Sequence, residues 1–304
     1  MTDQPVTASA GHREGLDVKV RSQFKLALGR FLRHRVAMAS LVILAIIVVV
    51  AFSAEVITPY SFDGMNLRAA RLAPTWEGGH LFGTDKLGRD YFTRVLYGAR
   101  TSIFVALVVA LLSTLIGTLI GAVAGYFGGW IDDIFMRFTD LVLILPGLAL
   151  LMILIAFIGE GSPLQIAVIL SSLMWTLIAR VVRAQVLSMR TREFVEAATL
   201  SGASPWRVIW RHMLPNMMGP IIVNATLTVS SAILIESALS FIGFGVKPPT
   251  PALGQLISDG RGAMQTQWWL VTFPGLVIIA ICLTINFIGD GLRDALDARQ
   301  AQRS

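Results

Sequence analysis

Two long runs without a charged residue constrain the fold of this chain more than any other feature. Val36 to Ala54 carries no charge over 19 residues, and Thr101 to Ile131 carries none over 31. About 20 consecutive apolar residues in a helix are enough to cross the hydrocarbon core of a bilayer. Each run can therefore span a membrane, and the sequence predicts an all-α, polytopic membrane protein embedded in the lipid bilayer.

Composition agrees with a membrane protein and argues against two other classes. Hydrophobic residues make up 55% of the 304 residues and charged residues 14%, well below the roughly 25% that is usual in soluble domains. The net charge of +6 does not indicate a nucleic-acid partner, because the charges flank apolar runs and form no continuous basic face. Cys282 is the only cysteine, which excludes an intrachain disulfide.

The remaining apolar runs extend the pattern to six membrane spans. We expect the first run to be an uncleaved span, since its 35-residue leader is too long for the n-region of a signal peptide and the apolar run is longer than the usual h-region. The start of that leader is expected to be disordered, and Phe24 to Arg35 to form a basic amphipathic helix on the membrane surface. The predicted organisation is a cytoplasmic tail (1–35), a first transmembrane helix (36–57), an extracytoplasmic loop (58–100), five further helices (101–290) with a cytoplasmic loop at 193–215, and a cytoplasmic C-terminal tail (291–304).

The distribution of positive charge predicts the orientation. With the N-terminus inside, the inner segments hold 17 of the 25 Lys and Arg residues and the outer loops hold 8. Cytoplasmic loops carry an excess of Lys and Arg. Both termini and the 193–215 loop are therefore expected in the cytoplasm.

Glycines predict close helix packing in one span, and a proline predicts a kink in another. Gly117, Gly121 and Gly125 are spaced as GxxxGxxxG, which puts them on one helix face where another helix can approach closely. The alternative is a flexible span with chance glycines. The third span, Leu141 to Gly159, contains Pro146-Gly147, which should kink it.

The polar stretch from Glu193 to Pro215, called the elbow below, is predicted to be two short helices joined at a glycine. Gly202 suits the left-handed position that ends a helix. Ser204 is placed as the N-cap of the second helix, and Pro205 at its first position. Pro215 is expected to stop this second helix.

The second helix of the elbow carries both apolar and basic side chains. The apolar knob consists of Val208 and Ile209 beside Trp206 and Trp210, and the basic flanks are Arg207 and Arg211. A rigid elbow with such a knob is suited to docking in a groove of another protein. A solvated loop between two spans is the alternative that these residues leave open.

The elbow resembles the EAA loop of ABC-importer permeases. The resemblance lies in Glu196-Ala197-Ala198, in Gly202 and in Leu214-Pro215. It implies that the elbow is the coupling helix that sits in a cleft of the ATP-binding subunit, with Glu196, Ala197, Ala198, Gly202, Ser204, Pro205, Trp206, Arg207, Leu214 and Pro215 as the coupling residues. The general pattern has Ile where this chain has His212, and the segment around it is similar instead to the peptide and nickel branch.

Two more stretches resemble the C-type permease subunit of bacterial oligopeptide/dipeptide importers. Phe82 to Asp90 is similar to its FGTDxxGRD segment, and Asn286 to Asp297 to its terminal motif. The resemblance implies the type I importer fold, a multi-pass subunit of the bacterial cytoplasmic membrane, and a translocation path for di- and oligopeptides. Nickel, glutathione or another small solute is the alternative cargo.

The same resemblance implies a set of partners. They are a homologous second permease subunit in a heterodimer, two ATP-binding subunits and an extracytoplasmic solute-binding protein. The chain itself lacks a GxxxxGK[ST] phosphate loop, so no cofactor is expected here and ATP should be bound by the partner subunits.

Enzymatic and metal chemistry find no support in the sequence. No HExxH motif occurs, and the four histidines are far apart, so neither a catalytic residue nor a metal site is expected. No GxSxG nucleophile elbow occurs either.

Polar residues within the spans are few. Asp140, Arg180, Glu236 and Asp290 lie near span ends and are interpreted as interfacial residues whose charges reach toward water. A proton-coupled carrier is expected to place acidic residues in mid-span, which makes a stand-alone channel or secondary carrier the weaker alternative.

Two uncharged polar residues are candidates for the translocation path. Asn224 in the fifth span and Asn286 in the sixth can line a path, or they can hydrogen-bond a neighbouring helix instead.

Overall fold

The computed structural model describes residues 23–159 and 161–296, and the regular structure within these ranges is helical apart from one isolated bridge between Thr84 and Asp90. The predicted all-α fold class is confirmed. The expected disorder of the first residues and the end of the C-terminal tail lie outside the described residues.

The described N-terminal half of the chain forms two helices of 18 residues or more and four shorter ones. They are α1 (Gln23–Arg33), α2 (Arg35–Phe52), α3 (Ala54–Ile57), α4 (Tyr91–Phe127), α5 (Gly129–Ile144) and α6 (Gly147–Ile158). The polar segment between α3 and α4 holds two single-turn 3-10 helices, Leu67–Ala69 and Glu77–Gly79.

The C-terminal half adds three long helices, and short helices fill the connections between them. They are α7 (Pro163–Arg190), α8 (Glu193–Leu200), α9 (Pro205–Arg207), α10 (Leu214–Asn216), α11 (Met218–Ile242), α12 (Leu253–Gly260) and α13 (Trp269–Leu296). A π-helical turn, Val208–Met213, joins α9 to α10, and a 3-10 turn, Arg261–Ala263, follows α12.

Five described helices are long and apolar enough to cross a membrane, namely α2, α4, α7, α11 and α13. The sixth span exists only if α5 and α6 are counted together, because these two helices meet at an angle of 89°. The kink expected at Pro146 is thus a complete break. Proline lacks the N–H that an intact helix needs there, and it holds the preceding residue, Leu145, in an extended conformation with ψ of 139°.

The start of α4 differs from the beginning of the charge-free run. The helix begins at Tyr91, ahead of Thr101, and so includes two arginines. Arg94 is buried, and the Arg100 guanidinium lies 3.0 Å from the Glu55 carboxylate. At 1.5 Å per residue, the 37 residues of α4 extend over about 55 Å, more than the roughly 30 Å of the hydrocarbon core.

The helix α4 packs along α7 through its glycines. A Cβ atom added to Gly117 would lie 2.6 Å from the carbonyl oxygen of Trp175, and one added to Gly121 would lie 2.3 Å from that of Ala179. A Cβ atom at Gly125 would lie 2.9 Å from the carbonyl oxygen of Arg183, one turn further along α7. No side chain fits in this contact, so the two backbones touch directly.

The main apolar core lies where α4, α7, α11 and α13 meet. Val105, Leu170, Ile233 and Ile281, one from each helix, are fully buried there. The outward sides of the same helices expose many large aliphatic residues. In a bilayer these surfaces face lipid, which is as apolar as the side chains themselves.

The first helix packs on the last one. Phe31 of α1 packs with Ala295 of α13, and His34 accepts a hydrogen bond from the Ala37 backbone N–H at the start of α2. The helix predicted around Phe24 to Arg35 is therefore present, and one of its sides rests on protein.

The interfacial interpretation of Glu236 is wrong. Its side chain is fully buried in α11 and accepts hydrogen bonds from the hydroxyls of Ser102, at 2.8 Å, and Ser240, at 2.6 Å. These hydroxyls replace water as donors, which allows a carboxyl group to lie inside the bundle. Asp140 and Arg180 are half-exposed and pair with each other.

The glycine contact leads to a stability prediction. Gly121→Ala should destabilise the protein by about 1–3 kcal/mol, because α4 and α7 must separate to admit the methyl group. Gly275→Ala is the matched control, since a Cβ atom at this glycine of α13 would meet nothing within 4 Å. Thermal unfolding of the detergent-solubilised variants measures the difference. Equal unfolding temperatures for the two variants would contradict the direct backbone contact.

Candidate functional site: the elbow between two membrane spans

The elbow connects the end of α7 to the start of α11 and begins with a complete helix-ending motif. Gly202 has φ of +81°, the left-handed conformation that the sequence predicted. The Gly202 N–H donates to the carbonyl of Thr199 at 3.0 Å, and the Ala203 N–H donates to that of Ala198 at 3.1 Å. This pair of bonds satisfies the last carbonyls of α8 and fixes the direction in which the chain leaves it.

The second helix of the elbow starts at a capped residue. Ser204 is extended, with φ of −65° and ψ of 152°, and its hydroxyl accepts the Arg207 N–H at 3.4 Å. Pro205 occupies the first helical position, where its missing N–H costs nothing. Hydrogen bonds within the elbow therefore set the angle between its two helices.

Pro215 does not stop this helix. The chain widens into the π-helical turn Val208–Met213, in which the Leu214 N–H donates to the Ile209 carbonyl, and Pro215 then lies in the first turn of α10. The wider turn admits a proline that an ordinary α-helical turn would exclude. The Asn216 side-chain amide caps the His212 carbonyl at 2.6 Å.

The composition of the apolar knob differs from the prediction. Val208 and Ile209 are buried inside the protein, whereas Trp206 is 49% exposed and Trp210 58% exposed. Leu200, on the last turn of α8, is 89% exposed. The apolar surface that the elbow offers thus consists of these two tryptophans, Leu200 and Phe194, which is 40% exposed.

The buried side of the elbow attaches it to the α4–α7 pair. Val195 of α8 and Val208 share one apolar cluster with Val182 and Val186 of α7. The ring of Phe127, the last residue of α4, lies edge-on to that of Trp206 at a centroid distance of 6.3 Å. Because α4 and α7 touch backbone to backbone, the elbow rests on a stiff base.

The residues of the EAA-like signature lie mostly on the outer surface. Glu196, Ala197 and Pro215 are exposed, Ala198 is half-buried, and Leu214 is buried. From its place about one turn before the bend, Glu196 is predicted to orient the elbow through a hydrogen bond or salt bridge to a basic neighbour. None of the ion pairs among the described residues includes it.

The elbow is basic as well as apolar on its exposed side. Arg207 and Arg211 are solvent-exposed on the second helix, and Arg190 and Arg192 are exposed just before the first. A partner that covers this side must therefore tolerate or complement positive charge.

Sequence reasoning missed one charged pair near the elbow. Asp132 of α5 makes two hydrogen bonds to the Arg183 guanidinium of α7, in the fork geometry that arginine favours. The signal was available, because the sequence shows an acidic pair, Asp132-Asp133, and an arginine inside a long helix. Sequence spacing alone does not bring the two together.

The other candidate residues lie away from the elbow. Asn224 and Asn286 are half-buried in α11 and α13. The Asn224 amide donates to the Pro220 carbonyl of its own helix at 2.8 Å. Within residues 23–159 and 161–296, no group of three His, Cys, Asp or Glu side chains is arranged to hold a metal ion.

Comparison with known sequences gives two family matches. Residues 117–302 match the family described as "Binding-protein-dependent transport system inner membrane component", and residues 22–74 match the "N-terminal TM domain of oligopeptide transport permease C". The first match covers more than half of the chain and includes the elbow.

Individual relatives extend over nearly the whole sequence. The oligopeptide transport system permease protein OppC of Escherichia coli (strain K12) is 41% identical over 286 residues, which is 94% of each chain. OppC of Bacillus subtilis (strain 168) is 38% identical over 97% of this chain and 96% of its own length. The dipeptide transport system permease protein DppC of Haemophilus influenzae is 38% identical over 90% of this chain and 93% of its own.

The family matches and the individual relatives lead to one assignment, and it agrees with the membrane-spanning helices and with the elbow that packs on α4 and α7. The chain belongs to the family of binding-protein-dependent transport system inner membrane components.

Proposed function

We propose that this chain is the C-type permease subunit of an ABC importer and forms part of the path by which di- and oligopeptides cross the cytoplasmic membrane. The names of the relatives, oligopeptide and dipeptide transport permeases, support the cargo. The elbow is the observation that carries the mechanism. It presents Leu200, Trp206 and Trp210 on a rigid base, as a docking element requires.

The elbow passes the movement of an ATP-binding subunit to the membrane helices. Burial of Val195, Val208 and Ile209 against α7 makes the elbow move with that helix as one body. The glycine contact then couples α7 to α4. Closure of the ATP-binding subunits around ATP thus becomes a displacement of two spans.

The assembly contains a homologous second permease subunit in a heterodimer, two ATP-binding subunits and an extracytoplasmic solute-binding protein. ATP is bound by the partner subunits, and this chain contributes neither a catalytic residue nor a cofactor site. Both termini and the elbow lie in the cytoplasm, as the charge distribution favours. Asn224 and Asn286 are the polar side chains of the spans that we assign to the path.

The first test concerns the left-handed glycine of the elbow. Gly202→Val should lower substrate uptake per ATP hydrolysed, because a β-branched residue at φ of +81° is strained by about 1–2 kcal/mol and re-aims the second helix. Gly202→Ala should have a smaller effect. Uptake and hydrolysis are measured together in proteoliposomes that contain the whole importer.

Gly243 provides the matched control for this experiment. It ends α11 at the opposite side of the bundle with φ of +100°, and a Cβ atom at either glycine meets nothing within 4 Å. Gly243→Val therefore introduces similar backbone strain away from the elbow and should keep uptake matched to hydrolysis. A well-inserted Gly202→Val variant with normal coupling would refute the role of the elbow.

The exposed tryptophans provide a second test. Trp210→Ala should weaken the binding of the ATP-binding subunits by roughly 30-fold or more, the effect of losing about 2 kcal/mol at an interface hot spot. Trp268→Ala, at a similarly exposed tryptophan ahead of α13, should leave that binding unchanged. Affinity is measured with detergent-solubilised permease and purified ATP-binding subunits. Equal affinities for both variants would exclude Trp210 from the interface.

Orientation is tested separately by cysteine labelling. In a Cys282→Ser background, single cysteines at Lys86 and Lys247 should react with a membrane-impermeant thiol reagent in intact cells, and a cysteine at Ser204 should not. Spheroplasts replace intact cells if an outer membrane prevents the reagent from reaching the protein. Labelling at Ser204 but not at Lys86 would reverse the topology.

A further inference from the structure

The segment Phe82 to Asp90, called the turn below, lies at the end of the bundle opposite the elbow. The helix α11 starts beside the elbow and leads to α12, and α4 ends beside the elbow and starts at the turn. Gly83 and Gly88 of this turn have φ of +74° and +71°. A Cβ atom at Gly88 would lie 1.8 Å from the Asn66 carbonyl, so the turn is packed tightly against the preceding loop.

A cavity of about 180 Å³ lies between this turn, the first turns of α4, and α12 with the segment that follows it. Four basic and two acidic side chains line it: Arg71, Lys86, Arg89, Arg94, Asp85 and Asp259. The balance leaves an excess of positive charge. This site is separate from the elbow, and nothing in the coupling mechanism uses it.

The carboxylate of Asp85 is already occupied by hydrogen bonds within the turn. It accepts the Arg89 Nε–H at 2.7 Å and the backbone N–H groups of Leu87 and Arg89 at 2.9 and 3.0 Å. The Arg94 guanidinium comes no closer to Asp85 than 3.9 Å, which is too far for a hydrogen bond. Asp85 therefore supports the turn and forms only a long ion pair with Arg94, without a hydrogen bond.

Arg94 is the unexplained group of the cavity. Its side chain is 3% exposed, and its Nε and Nη1 atoms have no hydrogen-bond partner among the described residues. The buried Oε1 atom of Gln267, on the same cavity wall, also lacks a partner within the described chain. A 180° flip of this amide would place its N–H donors where the Oε1 atom now lies. A buried polar atom without a hydrogen-bond partner is costly, and the cost is greatest when the atom belongs to a charged group.

We propose that this cavity is a carboxylate-binding site in which Arg94 holds the anion. A carboxylate matches the planar fork of a guanidinium. The cavity is smaller than the roughly 300–1,000 Å³ of pockets for drug-sized ligands, which suits one short acid. The excess of two positive charges in the lining can also balance both carboxylates of a short diacid.

The carboxylate has two possible sources with the same chemistry. One is a small organic acid in solution. The other is an acidic side chain of the extracytoplasmic binding protein, and this source alone rests on the proposed function.

Glutarate is the probe for the first source, since it is a short diacid and each of its ends resembles a glutamate side chain. Isothermal titration of the purified, detergent-solubilised chain with glutarate, against chloride at equal ionic strength, should give saturable binding to the wild type. Arg94→Lys should weaken the binding at least tenfold, because the ammonium cannot reproduce the fork. Gln267→Glu should do the same by placing a carboxylate on the cavity wall.

Gln267→Met keeps the length of the side chain without adding charge, so it should weaken glutarate binding less than Gln267→Glu, through loss of the amide alone. Thermal unfolding of each variant shows whether it is folded. If Arg94→Lys does not fold, the two Gln267 variants still decide the question. Arg68→Gln, on an exposed arginine outside the cavity, should bind glutarate as the wild type does.

The importer's own extracytoplasmic binding protein tests the second source in the assembled complex. Weaker binding of this protein to Gln267→Glu than to Gln267→Met, together with competition by glutarate, identifies a docked acidic side chain. Unchanged protein binding, together with glutarate binding that Gln267→Glu abolishes, identifies a small acid. If glutarate does not bind and both Gln267 variants bind the protein equally, the carboxylate site is refuted. The glutarate experiment needs no transport, so it can succeed even if the proposed function fails.

Discussion

The direct contact between the backbones of α4 and α7 is the constraint on which the rest of the structure depends. It exists because three glycines of α4 face the carbonyl oxygens of α7, with no room for even a methyl group. In a bilayer, helices gain no hydrophobic energy from leaving lipid, so close packing of this kind is a main source of association. The elbow is attached to the same pair of helices and takes its orientation from them.

Polar groups inside the bundle are stabilised by neighbours on other helices. Glu236 of α11 accepts a hydrogen bond from Ser102 of α4, and Asp132 of α5 pairs with Arg183 of α7. Each interaction joins two elements that the apolar core alone would orient only loosely, since burial is not directional. A carboxyl group without donors would be costly at these positions.

Local sequence signals predicted much of this fold. The spans follow from charge-free runs, the corner of the elbow from Gly202 and Ser204, and the close helix contact from the spacing of Gly117, Gly121 and Gly125. In each case the physical cause acts within one element or recurs at a helical period. Sequence alone is sufficient for such features, although it does not identify α7 as the helix that the three glycines meet.

Features that depend on packing between elements were not predictable in the same way. Val208 and Trp210 are both apolar, and only the position of α7 decides that the first is buried and the second exposed. Pro215 was expected to end a helix, but a π-helical turn accommodates it. The sequence predicts a loop at Arg94, because charged residues mark the edges of the apolar runs, whereas the residue lies in α4. Ser102, which donates to Glu236, likewise lies 134 residues away in the chain.

The length of α4 has a mechanical consequence. The helix α4 extends without a break from Tyr91, directly after the turn that holds Gly83 and Gly88, to Phe127, whose ring contacts Trp206 of the elbow. Over about 55 Å, a tilt of roughly 5° about one end displaces the other by about 5 Å, close to one helical turn. The helix thus acts as a lever arm, and small angular changes on one side of the membrane are magnified into side-chain-sized displacements on the other.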